Sequence, residues 1–417
     1  MNRLKAKFSN LDAVYRNIIV QSGGTIAAQL IPVAVSPVLS RLYTPDEFGI
    51  YGIVFFVSAL LAIVFSLRVD HGVIVAPSDA DALTVVQASL AITSCAAVAF
   101  ALGAALVVLT LPGEFDPVML ITWALLCPLA GFTLAVMRTT TLWQNRTRNF
   151  RLVSRSRISR AISTALASIG GWFSSYGLVY GLVVGNAVGI WMLARGIALR
   201  PFLSLAAIAA VVRENSKFVM FSLPADLVNT TASRIPLLIF PPLFGLEQTG
   251  YLSLTYLVIA TPARFIGTAI GEVFYSHAAR EYEQTGSCRG SVKKIGALLA
   301  GLSVVGFGLL FLIAEPLFHH AFGPTWQPAA TFTQIMVPML IVNFVASPLS
   351  VVFYIAGRQK EDFFWQLGLL MTSTAACCFG YWLYGTPSGS LIFLSLSGAV
   401  MYAIYLGMII RFSTRRT

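Results

Sequence analysis

The chain has 417 residues, 57% of them hydrophobic and only 11% charged, with a mean hydropathy of +0.79 and a net charge of +11. That composition excludes a soluble globular domain and indicates a polytopic membrane protein, because an apolar stretch of about 20 residues crosses the hydrocarbon as a helix. The runs are continuously apolar, which excludes a β-barrel whose strands would alternate over about ten residues. The fold class is therefore all-α.

Twelve spans are predicted. The first six cover about 17–39, 48–68, 84–110, 118–138, 156–174 and 177–198. The second six cover about 217–242, 250–275, 293–314, 329–354, 363–384 and 388–410. The first follows Arg3, Lys5 and Lys7 as a signal peptide would, but Ala34-Val35-Ser36 runs into Pro37, a poor cleavage context, so it reads as an uncleaved helix. It carries Gln21, Thr25 and Gln29, and Pro32 and Pro37 are expected to kink it. Arg41, beside Asp46 and Glu47, reads as an anchor or a loop ion pair, and Asp70 as a solvated residue or a coupling acid near a span end. In the sixth span Gly177, Gly181, Gly185 and Gly189 repeat every four residues, which favours close helix packing.

The seventh and eighth spans carry the polar residues of interest. Asp226, Asn229, Thr230, Ser233 and Arg234 recur at helical spacing and make one face wet. Asp226 and Arg234 are about 12 Å apart along the axis, too far for an easy pair, so each needs another partner. Thr261, Arg264, Thr268 and Glu272 form a similar stripe on the eighth span. Arg234 and Arg264 are the two arginines that fall deep inside apolar runs, where a guanidinium usually faces a water-filled cavity or an ionic partner. Asp226 reads equally as a structural counter-ion or as a proton or cation coupling group. Glu272 is weighed between solvation and coupling.

The remaining signals are weak. His319 and His320 have no ligand spacing, so no metal site is expected. No P-loop occurs, and direct ATP use is unsupported. The five cysteines imply no disulfide framework. The sequons at Asn145 and Asn229 are chance matches, one cytoplasmic and one inside a span.

Topology follows from the basic residues. The two ends and the even gaps hold 25 of the 28 lysines and arginines, whereas the odd gaps hold only Arg41. Both termini are therefore expected to be cytoplasmic. The net charge is accounted for by topology and anionic lipid, with no nucleic-acid partner needed.

The chain is also duplicated. Shifting it by 201 residues lays Leu42-Tyr43 on Leu243-Phe244, Asp46-Glu47 on Glu247-Gln248 and Gly49 on Gly250. A shift of 212 lays Phe132 on Phe344 and Arg146-Thr147-Arg148 on Arg358-Gln359-Lys360. With six spans in each half the repeat is parallel, and such transporters bind between the halves. The expected division is a lobe over 1–198, a cytoplasmic linker over 199–216 and a second lobe over 217–417.

The run Ser40-Arg41-Leu42-Tyr43-Thr44-Pro45-Asp46-Glu47-Phe48-Gly49-Ile50-Tyr51 resembles the signature of Wzx-type polysaccharide biosynthesis proteins, the oligosaccharide-lipid flippases of the MOP exporter superfamily. Asn149-Phe150-Arg151, Gly177-Leu178-Val179-Tyr180-Gly181 and Ala356-Gly357-Arg358-Gln359-Lys360 are similar to other recurring family features. The resemblance implies a MATE-like fold in the bacterial cytoplasmic membrane. It also implies a non-enzymatic protein that moves a polyprenyl-diphosphate-linked oligosaccharide outward for O-antigen, lipopolysaccharide, capsule or exopolysaccharide assembly. Cationic residues in a central cavity belong to the same implication, with polysaccharide polymerase and chain-length machinery as partners.

The candidate binding residues are accordingly Arg264, Arg234, Gln29, Asn229 and Thr268, with Asp226, Glu272 and Asp70 as coupling candidates. No cofactor is expected; a proton or sodium gradient, or the membrane potential, is the energy source. The alternatives are a multidrug exporter, which calls for acidic and aromatic walls, and a membrane polymerase or glycosyltransferase, which calls for acid-base or metal groups. Because Ile63 is the repeat counterpart of Arg264, the anion grip is expected on the C-terminal half.

Overall fold

The computed structural model describes residue 24 and residues 27–110, 122–195, 197 and 203–414, with side chains throughout except at 108, 109, 122, 123, 260–266, 268, 269, 272 and 276. Gln21, Thr25, the basic N-terminal residues and the start of the fourth expected span lie outside the described residues. Among those described no strand forms, and the nearest approach to one is an isolated antiparallel bridge between Ser287 and Thr414.

The helices are α1 Ala27–Leu42, α2 Pro45–Ser66, α3 Asp79–Thr110, α4 Cys127–Arg146, α5 Phe150–Gly170, α6 Gly177–Ala194 and α7 Leu205–Glu214. They continue with α8 Leu223–Arg234, α9 Pro236–Thr285, α10 Arg289–Phe322, α11 Gln327–Leu349, α12 Gln359–Tyr384 and α13 Pro387–Phe412. Eight helices among the described residues are long and apolar enough to cross a membrane. The protein is a multi-pass helical membrane protein, and twelve spans in two repeats are consistent with this set. Gly245, at φ 85° and ψ 178°, breaks α9. The part before it continues the seventh expected span and the part after it forms the eighth.

The chain divides into two compact units: 1–35 with 53–227, and 36–52 with 228–417. In the first, α5 packs on α6 through the small residues of the sixth span. A Cβ on Gly181 would lie 2.0 Å from the Ser168 hydroxyl, and one on Gly185 would lie 1.9 Å from that of Thr164. The stretch expected to be a linker carries α7, whose Val211 is 5% exposed within an apolar cluster with Val69, Val73, Val85 and Val86.

In the second unit the signature segment is tied down by Trp326, which is 1% exposed. The Trp326 indole N–H donates to the Ser40 carbonyl at 2.9 Å, and the Ser40 hydroxyl donates to the Phe322 carbonyl at 3.3 Å. Phe48 meets the Trp326 ring edge-on at 4.8 Å. Glu47 is used locally: its carboxylate accepts from the Thr44 N–H at 2.7 Å, and its own N–H donates to the Thr44 hydroxyl at 3.4 Å. That is a capping box with Pro45 as the first residue of α2. Glu47 therefore caps a helix, and Arg41 is exposed.

The duplication is visible as contacts between its copies. A Cβ on Gly49 would lie 2.2 Å from the Leu246 carbonyl oxygen, and one on Gly250 would lie 1.7 Å from that of Pro45. Shifting Gly49 and Pro45 by 201 residues gives Gly250 and Leu246, so the two contacts are mirror terms of one pseudo-twofold pair. Gly52 and Ser253, also 201 apart, face each other directly, a Cβ on Gly52 falling 2.0 Å from the Ser253 hydroxyl. Missing side chains are what let these backbones approach.

Candidate functional site

In the first unit the chain leaves α2 through two residues in the left-handed region, Leu67 at φ 46° and Arg68 at φ 58°. Neither is glycine, so the turn stores strain of roughly 1–3 kcal/mol per residue that surrounding contacts must offset. The Ser66 hydroxyl accepts from the Arg68 N–H at 3.3 Å. A short 3-10 turn, Val69–His71, and the helical turn Gly72–Val75 follow.

Arg68 is 5% exposed, and its Nε lies 2.6 Å from Asp226 Oδ2 at the start of α8. Asp226 therefore has its partner 158 positions away along the chain. The contact is an ion pair without hydrogen-bond alignment. Burial lowers the proton affinity of the Arg68 guanidinium, against the pull of Asp226 and Asp70.

Of the two readings of Asp70, a solvated residue or a coupling acid, the structure excludes solvation. Asp70 is fully buried, and Arg138 Nε of α4 lies 3.0 Å from its Oδ2. The same guanidinium reaches His71 Nε2 at 2.6 Å. Burial pushes the Asp70 carboxyl above the usual carboxylate range, opposed by His71 and Arg68. About two helical turns further along α4, Arg146 donates to the Val73 and Ala76 carbonyls at 2.9 Å each and pairs with Asp79 at 2.9 Å. Two arginines of one helix thus clamp the whole turn. Gly72 closes it, since a Cβ there would lie 2.2 Å from Asn215 Oδ1 at the end of α7.

The second unit contains different chemistry. Arg234 is half-buried with its guanidinium carbon 5.8 Å from the centre of the Tyr256 ring, within cation–π range. Asn229, on the same helix, is exposed. Arg264, Thr268 and Glu272 lie on α9, but their side chains are outside those described. On α12, Asp362 is buried and accepts from the Tyr405 hydroxyl at 2.5 Å and from the Gln366 amide at 2.9 Å. Tyr405 is stacked between Trp365 at 3.9 Å and Phe353 at 4.9 Å.

The structure brings together Asp226, Arg68, Asp70, His71 and Arg138, of which the sequence singled out only the two acids. Gln29 is on α1 in the same unit, its side-chain oxygen buried with no hydrogen-bond partner among the described residues. Asp362 was missed because it falls one residue before the eleventh expected span. A carboxylate in the first helical turn looks like a solvated terminus until its tyrosine partner, 43 positions on, is known. Among the described residues no group of three or more His, Cys, Asp or Glu side chains stands ready to hold a metal ion.

Comparison with known proteins adds the following. A family model described as polysaccharide biosynthesis protein matches residues 38–331. The chain is similar to the teichuronic acid biosynthesis protein TuaB of Bacillus subtilis (strain 168), 24% identical over 157 residues, or 37% of this chain and 32% of that protein. The match therefore spans about a third of that relative's length. Among solved structures, the lipid II flippase MurJ in an inward closed conformation shares the fold with a TM-score of 0.73 at 11% identity, covering 94% of this chain and 87% of that one. A MOP-superfamily transporter from Pyrococcus furiosus gives 0.62 at 11% identity over 95% of each chain. A MATE transporter in complex with MaL6 gives 0.60 at 14% identity over 95% of this chain and 96% of that one. At these identities the likeness is one of fold, the MOP fold.

Proposed function

The chain belongs to the polysaccharide biosynthesis protein family, and from that premise we propose that it is a flippase carrying a polyprenyl-diphosphate-linked oligosaccharide outward across the cytoplasmic membrane by alternating access. The family match carries this reading, and the fold shared with a lipid II flippase supports it. A diphosphate carries about two negative charges, and its transfer through hydrocarbon is prohibitive unless charges and donors replace water. Arg234 and Arg264 supply guanidinium donors suited to phosphate oxygens. Gln29, Asn229 and Thr268 supply polar contacts to the glycan, while the polyprenyl tail stays in lipid.

An inside-negative potential favours outward movement of two negative charges by up to about 4.6 kcal/mol per 100 mV. Protons add a second source. Protonating Asp226 would release Arg68, and protonating Asp70 would release Arg138, so either acid can couple proton uptake to a change at this turn. Glu272 is the third coupling candidate. The glycan belongs to O-antigen, capsule or exopolysaccharide assembly, and the polymerase and chain-length machinery are the partners that receive it.

A multidrug exporter with the same fold is the second reading. A cationic drug needs accessible carboxylates, and here Asp226 and Asp70 face arginines. Vesicles reconstituted with the protein and lipid-diphosphate oligosaccharide, under imposed proton and voltage gradients, test the choice. Outward transfer of the lipid-linked sugar is expected, and transport of a cationic drug in its place would reverse the ranking. Arg264→Glu is expected to abolish export while the protein stays in the membrane. Near-normal export by that variant would remove the cationic contact from the mechanism.

A further inference from the structure

The outward face of α5 changes character along its length. Counting about 100° per residue from Arg151, Arg155 lies at about 40° round the helix, Ile162 at about 20° and Leu166 at about 60°. Ile162 and Leu166, 44% and 65% exposed, face lipid, and Arg151 and Arg155 are exposed on that same arc. Val153 and Ser156, both fully buried, lie on the far side at about 200° and about 140°. Arg157 and Arg160 also turn away from the arc, and both have partners within the protein. Arg151 and Arg155 differ: among the described residues neither side chain makes an ion pair or a hydrogen bond.

Depth follows from the two ends of the helix. The turn after α5 carries Trp172, 59% exposed, and Tyr176 leads into α6, ring types that gather at a membrane interface. From Gly170 back to Arg151 is about 28 Å along the axis, close to the roughly 30 Å thickness of the hydrocarbon. Arg151 therefore stands at the opposite interface. Arg155, one turn deeper, reaches that level by the length of its stem.

The end of α6 brings a second pair to the same level. The two helices run in opposite senses: a Cβ on Gly181 would meet the Ser168 hydroxyl, one on Gly189 would lie 3.6 Å from the Arg160 Cβ, and Leu193 shares an apolar cluster with Val153. Trp191 falls between those last two levels and is 60% exposed, on the arc of α6 that also exposes Tyr180 and Val184. The Arg195 guanidinium carbon lies 3.5 Å from the centre of the Trp191 ring. A guanidinium stacked on a ring keeps the N–H groups along its edge open to an anion.

We infer that Arg151 and Arg155 of α5, with Arg195 stacked on Trp191 at the end of α6, bind the headgroup phosphate of an anionic phospholipid from the surrounding bilayer. The surface is amphipathic in the order such a lipid needs. Cations stand at the interface, and the apolar arc through Ile162 and Leu166 continues inward beside the acyl chains. Guanidiniums pair with phosphate through two parallel N–H donors, and basic clusters beside a span attract anionic lipid at short range. A zwitterionic headgroup carries its own cation, which opposes the same contact. The surface is separate from the cargo contacts proposed above and does not depend on the flippase reading.

Titrating phosphatidylglycerol or phosphatidylcholine into the purified full-length protein in a neutral detergent, with binding read by native mass spectrometry, tests the site. Affinity for phosphatidylglycerol is expected to fall about twentyfold in Arg151→Gln/Arg155→Gln, while affinity for phosphatidylcholine holds. Unchanged affinity for phosphatidylglycerol, or equal loss for both lipids, overturns the site. Arg289→Gln/Lys293→Gln removes two exposed cations of the second unit and should change phosphatidylglycerol binding by less than about twofold. An equal loss from that pair would mean a diffuse field in place of a site. Displacement of phosphatidylglycerol by an equal concentration of polyprenyl diphosphate would overturn the phospholipid as occupant. If the double variant does not fold, the single changes Arg151→Gln and Arg155→Gln are each expected to cost about fivefold. Wild-type affinity in both single variants overturns the site.

Discussion

Asp70 in the first unit and Asp362 in the second are both buried carboxylates, yet they are kept by opposite means. Asp70 faces a guanidinium, that of Arg138 at 3.0 Å, which also donates to the His71 ring at 2.6 Å. Asp362 faces neutral donors, the Tyr405 hydroxyl at 2.5 Å and the Gln366 amide at 2.9 Å, beneath stacked rings. A carboxylate balanced by charge cannot lose its own charge without stranding its partner. One held by dipoles can be exchanged for a neutral group of the same shape. The difference sorts the two sites into one suited to switching and one suited to fastening.

Substitutions around the two acids break or sharpen that contrast. The largest effect is expected from Arg138→Met, which leaves the fully buried Asp70 carboxylate without its nearest cation and should lower stability by about 3 kcal/mol, read as a fall in the thermal midpoint of detergent-solubilised protein. Tyr405→Phe removes one donor from a buried carboxylate and should cost about 1–2 kcal/mol in the same assay. Asp362→Asn should cost less than about 1 kcal/mol, because the buried Gln366 oxygen, which has no partner, can turn to accept from the new amide. Equal losses from Arg138→Met and Asp362→Asn would dissolve the distinction.

The last effect is one of protons. Since the native Asp70 carboxyl lies above its unfolded value, the native state takes up the proton first. Stability contributed by this group should therefore grow as pH falls from that raised value toward the ordinary range near 4, and shrink as pH rises through it. The difference between wild type and Asp70→Asn across that window isolates it. A difference that moved in the opposite direction would mean the cations outweigh burial.

Much of the architecture was legible because it is written in local patterns. Apolar runs, the basic gaps and the 201-residue shift all point to a membrane helix bundle built twice. The site was legible only in part. Asp226 stood out as a charge in an apolar run, but its partner Arg68 is too distant for any periodicity to connect them. Asp70 and Arg138 sit beside span ends, where a charged residue in water and one buried by a strained turn look the same in sequence. Arg157 and Arg160 lie just inside the start of the fifth expected span and were counted with the gap cations; the helix begins six residues before that span, at Phe150. Arg157 and Arg160 are half-buried within α5 of the first unit, as Arg234 is within α8 of the second.

The paired contacts at Gly49 and Gly250 have a consequence for how such a chain can change. After a duplication each copy is usually free to drift, because a substitution in one is invisible to the other. Here the obstacle facing each glycine is the other copy's backbone carbonyl, an atom no substitution can remove. A side chain gained on one side therefore finds no compensating loss on the other. The two halves can diverge in charge while remaining shackled to a common shape at the point where they touch.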